Sequence, residues 1–237
     1  MSDDHATTYS RASLARLAAI REAVDLADAA RSLTDATADA GSRPGELVDQ
    51  ARVLVGLARE VLAYTVIHER LKGTSWETIG WNLGDISKQA AQSRYGDAEK
   101  DFRRRALLAW LHPEISTEYL GHAVGGDPRP TVEMLTEWWQ AHRLPTEPDK
   151  TDPIGAALAP AAAAEESAMV TEAVSLLAGD DAPDDAHRHR HLEIGLARRK
   201  VALYERLLIE LPGDAATLDV LADARARLAE LTGNRPR

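Results

Sequence analysis

Apolar residues recur along this chain at three- and four-residue spacing, the period of helices packed on one side. From Ser10 to about Ala40, Leu14, Leu17, Ala18, Val24, Ala27 and Ala30 form one stripe, with Arg and Asp on the other side. Gly41 to Gly45 (GSRPG) breaks the pattern. From Glu46 to Leu71 a longer seam follows: Leu47, Ala51, Leu54, Val55, Ala58, Val61, Leu62, Thr65 and Val66. Lys72-Gly73 ends it, with a basic side chain at the negative end of the helix. The two helices are expected to pack antiparallel as a platform. The seam of the second reads as core, with a coiled-coil dimer contact as the alternative.

Further along, Asp97 to His112 predicts a helix with Phe102, Ala106, Leu107 and Trp110 inward and Pro113 as its stop. A short helix is expected around Ile115–Leu120, then a loop at Gly125–Pro130. Thr131 to Arg143 reads as a helix capped by Thr131, with Trp138 and Trp139 anchoring it to the core. Residues 144–164 carry four prolines and a run of Ala, the composition of a linker between a domain at 1–143 and a second at 165–237. Beyond it come a helix at Glu165–Leu177, a break at 179–183 and a long helix from Asp184 to Leu211. A Pro212-Gly213-Asp214 turn leads to a last helix ending at Leu231. Leu203, Leu207 and Leu211 are expected to face Leu218, Leu221, Leu228 and Leu231 across this hairpin, which reads as an interaction or dimerisation element.

The segment Gly73–Gly96, GTSWETIGWNLGDISKQAAQSRYG, has a different grammar. Trp76, Ile79, Gly80 and Leu83 share one face of a short helix, and Gly84 stops it, because a left-handed stop favours glycine. Ser87 then stands as an N-cap before a second short helix with Ala90, Ala91 and Tyr95 inward. Small Gly80 permits close crossing. This is the pattern of a helix-turn-helix, whose second helix enters the major groove of DNA. The run SWETIGWNLG…ISKQAAQSRYG resembles the sigma-region-4-like and regulator-type helix-turn-helix segments of bacterial DNA-binding proteins. Asp85 departs from that pattern by lengthening the turn. The resemblance covers about a tenth of the chain and implies binding to double-stranded DNA. Ser87, Lys88, Gln89, Gln92, Ser93 and Arg94 are then the outward, DNA-reading set. Gln can read adenine, Lys or Arg guanine, and the helix N-terminus can hold a phosphate. Arg103, Arg104 and Arg105 are secondary phosphate candidates. Trp76 and Trp81 are expected in core and helix-edge packing.

Net charge of −10 runs against DNA binding until it is mapped. Residues 113–185 hold 3 basic and 15 acidic side chains, whereas Ser87 to Arg105 holds six basic against three acidic. The acidity sits away from the proposed reader and weakens non-specific binding. Hydrophobic residues make up 44% and aromatic ones only 5%, with Ala and Leu dominant, so an all-α fold is expected: an N-terminal helical domain with the helix-turn-helix and a C-terminal helical hairpin.

The chain has no cysteine, which excludes disulfides and thiolate chemistry. No nucleophile elbow, phosphate loop, zincin or dinucleotide motif occurs, so neither an enzyme nor a cofactor is expected. His187 and His191 share a helical face but alternate with Arg188 and Arg190, which repel a cation; a solvated helix start is the expectation. No leader peptide or membrane span is read, and a cytoplasmic protein is expected. The leading function is a sequence-specific DNA-binding transcriptional regulator, working as a homodimer or with a protein partner through the C-terminal hairpin. The alternative is a protein-interaction adaptor in which the helix-turn-helix is structural.

Overall fold

In a computed structural model the described residues are 8–38, 41, 43–121, 124–144, 146, 150–179 and 185–233. Of the residues read as breaks or linker, 42, 145, 147–149 and 180–183 lie outside this set, as does Asp184, read as the start of the long helix. The fold is all-α, and among the described residues it has nine α-helices and no strand. They are α1 (Arg11–Ala38), α2 (Glu46–Leu71), α3 (Trp76–Asn82), α4 (Lys88–Leu111), α5 (Ser116–Leu120), α6 (Arg129–His142), α7 (Ala163–Ala178), α8 (Ala186–Glu210) and α9 (Ala215–Thr232).

The second helix of the predicted motif and the predicted helix at Asp97–His112 are one element, α4, 24 residues long. Gly96 does not break it, because this glycine lies inside the helix and its hydrogen faces the Gln92 side chain. α4 is the spine of the molecule. Its Ala91 packs with Val66, Trp76 and Ile79. Phe102 and Ala106 join Leu17, Val24, Tyr119 and Leu135. Leu107, Trp110 and Leu111 join Met169, Leu192 and Leu203. One helix therefore runs through three apolar clusters, and any tilt of it is felt in all three.

At its C-terminal end α4 meets α8 at very close range. A Cβ on Gly195 would lie 1.8 Å from the Leu111 carbonyl oxygen, so only glycine fits. Beside it Arg199 donates from Nε to the Trp110 carbonyl at 2.9 Å and covers the Trp110 ring. This satisfies one of the carbonyls that a helix end leaves open. Burial pushes the Arg199 guanidinium below the usual arginine range, against the opposing pull of Glu166 and Glu114.

The stretch expected as a linker is laced to the start of α1. Ser10 N donates to Ala159 O at 3.0 Å and Ala161 N to Thr8 O at 2.8 Å. Ser13 Oγ accepts from Ala159 N at 2.9 Å, and Ile154 and Ala161 are buried. Arg11, itself buried, pairs with Glu172 of α7 at 2.6 Å. α6 begins at Arg129, two residues before the expected cap Thr131, because Pro130 suits the first turn, where its missing N–H costs nothing. Trp138 leans on the core and donates from Nε1 to Asp28 at 3.2 Å.

α8 and α9 form the expected hairpin, with Leu203, Leu221 and Leu231 buried. Leu211 and Leu218, expected inside it, are exposed because both sit at the turn end, where no third element covers them. An open cleft of about 550 Å³ lies between α7, α8 and α9, over Leu196 and Ala197.

α1 and α2 pack along their whole lengths, but the seam read as core does not hold throughout. Ala51, Val55, Ala58, Leu62 and Thr65 of that seam are exposed, and no described residue from Asp25 to Thr65 is buried. Within this pair Glu22 is pushed above the usual glutamate range, first by burial and then by the carboxylates of Asp25 and Glu60. A raised carboxyl pKa means that the charged form costs stability above the folded-state value, and nothing once both states are protonated. Glu22→Gln is therefore expected to raise the thermal midpoint at pH 7 and to leave it unchanged below the ordinary glutamate range. A melting series from pH 7 to pH 3 checks this. An equal gain at both ends would contradict it.

Candidate nucleic-acid interface

Short-range capping builds the α3–turn–α4 unit. Ser75 Oγ accepts from Thr78 N at 3.1 Å to start α3, and Ser87 Oγ accepts from Ala90 N at 3.1 Å to start α4. Between them Gly84 has φ of 94° and Asp85 has φ of 59°. The extra turn residue is thus housed by two successive left-handed positions. Asp is among the few non-glycine residues that visit that region readily. The unit closes on itself where Ile86 N donates to Gly80 O at 3.1 Å. In the other direction, a Cβ on Gly80 would stand 2.4 Å from Ile86 O. The small residue is needed against the backbone of the turn, not against the second helix.

Three groups lock this unit to the platform. Trp76 is buried under the Arg70 guanidinium, 4.8 Å from the ring centroid. Glu99 of α4 is buried and lies 3.7 Å from Arg70 Nε of α2. Arg103 Nε donates to the same carboxylate at 2.8 Å.

At 100° per residue, Ala91 and Tyr95 mark the inward face of α4. Gln89 and Ser93 point the opposite way. Gln92 flanks them on one side and Arg94 on the other, while Lys88, seven residues before Tyr95, lies near the Tyr95 meridian and is exposed because it begins the helix. Ser87, Lys88, Gln89, Gln92, Ser93 and Arg94 are all exposed, and from Ser87 to Tyr95 there is no carboxylate. Lys88 and Arg94 make no ion pair among the described residues. Ala90, expected inward, is exposed, because it falls on the outer half of the helix beside Arg94.

The three arginines further along α4 are engaged differently. Arg103 is tied to Glu99, and Arg105 pairs with Asp101 at 2.8 Å and donates to Tyr119 O at 3.3 Å. Arg104 is exposed but also has a partner. They lie 11 residues beyond Gln92, Ser93 and Arg94, about 16 Å up the same faces. Their first role is to brace α4.

Trp81 was not foreseen as a surface group. It is 70% exposed on the outer side of α3, one residue past Gly80. The His187 and His191 rings lie tilted with centroids 4.4 Å apart, and His112 meets His191 edge-on at 5.2 Å. Among the described residues no group of three or more His, Asp or Glu side chains is placed to hold a metal ion. No described helix is long and apolar enough to cross a membrane. No protein-family model, curated protein or solved structure matches the chain.

Proposed function

We propose that the protein binds double-stranded DNA through the first two turns of α4 and regulates transcription. One observation carries this reading. A capped helix, braced on its inner side by Ala91, Glu99 and Phe102, presents first turns that are exposed, polar and free of carboxylates, with two cations, Lys88 and Arg94, that make no ion pair among the described residues. Among the described residues this face is exposed. It matches the donors and acceptors of base edges and phosphates in the major groove. Gln89 and Gln92 supply paired amide groups, Lys88 and Arg94 the phosphate or guanine contacts, and Ser87 and Ser93 short hydroxyls. Ala90 adds a methyl group suited to thymine. Because net charge is −10, this local patch has to act against the field of the whole chain, so affinity should fall steeply with salt.

The exposed Trp81 and the cleft between α7 and α9 favour a second reading, an adaptor that docks helical or extended partners. The two readings part on one comparison, made on a duplex selected by the wild-type chain. Lys88→Ala with Gln89→Ala is expected to weaken binding by about 1–3 kcal/mol for the lost base contact and to lower the salt slope by about 1 for the lost phosphate. Equal affinity with equal slopes for the wild type and the double variant would remove α4 as the reader.

A further inference from the structure

The outward face of the α1–α2 arm carries an apolar pattern that the monomer does not use. On α2 the residues turned toward α1 are Leu47, Gln50, Leu54, Leu57, Val61 and Tyr64, all half-buried. One position later runs a second series, Val48, Ala51, Val55, Ala58, Leu62 and Thr65, and all of it is exposed. Its spacing alternates three and four, the heptad seam of a helix that packs on another helix. On α1 the half-buried positions Leu26, Ala29, Leu33 and Ala36 are likewise followed, one position later, by exposed Ala27, Ala30, Thr34 and Thr37. In two antiparallel helices the stripes one residue past the shared contact fall on the same side of the pair. α6 touches α1 through Arg21 and Asp28, on the other side. The arm therefore presents one continuous face two helices wide that no described residue covers.

We infer that this face is covered by a second copy of the chain, forming an antiparallel four-helix bundle in which each α2 seats on the partner's α1. Three observations select a copy over another partner. The face is self-complementary in size: α2 supplies the bulk, with Val48, Val55 and Leu62, while the stripe of α1 is only Ala and Thr. A two-fold rotation about the length of the arm lays one on the other. The arm also lacks a core of its own, since no described residue from Asp25 to Thr65 is buried, and two helices alone bury too little to hold long helical segments. Finally, 17 residues of helix at ~1.5 Å each and two helices ~10 Å wide give about 500 Å² per copy. The total of about 1,000 Å² reaches the lower bound of a specific interface. This pairing does not depend on DNA binding, and it replaces the C-terminal hairpin as the dimer contact.

The test is the mass of the full chain in solution by light scattering. The wild type is expected at twice 25.8 kDa. Val55→Asp and Leu62→Asp are expected to halve that mass with unchanged helical circular dichroism, because both side chains are exposed within one chain. Val53→Asp, equally exposed but off the stripe, is expected to leave the mass unchanged. A wild type that stays at 25.8 kDa at about 100 μM, or Asp variants that remain dimeric, would overturn the proposal.

Cysteine cross-linking covers the case in which the Asp variants unfold. Glu22 lies near Glu60, and His68 Nδ1 bonds Ala12 O, so Ala27 and Val55 stand at about the same height on the arm. The natural chain has no cysteine. Mixing Ala27→Cys chains with Val55→Cys chains under a short thiol cross-linker is expected to give covalent heterodimers, with none from either chain alone. No product in the mixture, or product from Val55→Cys alone, would overturn the seating of α2 on the partner's α1.

Discussion

Gly195→Ala is expected to detach the C-terminal helices from α4. The added methyl carbon would stand 1.8 Å from Leu111 O and 2.8 Å from its carbonyl carbon. Both are backbone atoms at the end of a buried helix, so no rotamer change relieves the overlap. α8 would have to lift away, which opens the cluster of Trp110, Leu111, Met169 and Leu192 and pulls Arg199 from the Trp110 carbonyl. Overpacking of this kind costs about 3 kcal/mol or more, a large share of a typical domain's stability. Chemical denaturation of the full chain should give a markedly lower midpoint or a separate early transition reported by Trp110. Gly56→Ala is the control, since nothing lies within 4 Å of its Cβ and it sits in α2. There alanine should gain up to about 1 kcal/mol from helix propensity. If Gly195→Ala matched Gly56→Ala, α8 would not approach α4 this closely.

Gly80→Ala is expected to have the second largest effect, and a different one. Alanine is the better helix former, so propensity alone would stabilise α3. Packing opposes it, because the new Cβ would stand 2.4 Å from Ile86 O, while Gly80 O already accepts from Ile86 N. The turn must open, and the N-cap at Ser87 moves with it. A cost of about 2 kcal/mol is expected, confined to the α3–α4 unit. On the DNA-binding reading, affinity for a selected duplex should fall more than stability does, because the orientation of the first turns of α4 is lost while the remainder stays folded. Binding that persists with the affinity of the wild type would separate the turn from the reading face.

Much of the helical order is legible in the sequence because glycine and proline punctuate it. Gly73, Gly84 and Gly213 all take positive φ where the reading ended an element. Gly96 defeats the same rule, since a glycine inside a helix looks identical to one that ends it until α4 is seen running through. Pro-rich composition at 144–164 reads as a linker, but hydrogen bonds of Thr8 and Ser10 to Ala161 and Ala159 depend on partners about 150 residues away. The outward face Ser87–Arg94 follows from capping and period alone, both local properties. The engagement of Arg103 by Glu99 also sits at i, i+4 and was open to inspection as an ion pair. The second stripe of α2 lies largely within the seam read from the sequence, but its exposure was not legible there. Periodicity identifies an apolar face but does not say whether core, solvent or another chain covers it.

Sequence-specific reading of DNA by α4 is the proposed function. It is tested most directly by selecting from a pool of random duplexes at two salt concentrations and sequencing what the full chain retains. One enriched motif is expected, with retention falling steeply as salt rises and lost in the Lys88→Ala/Gln89→Ala variant. No retention at low salt, or retention without any enriched sequence in both the wild type and the variant, would contradict it.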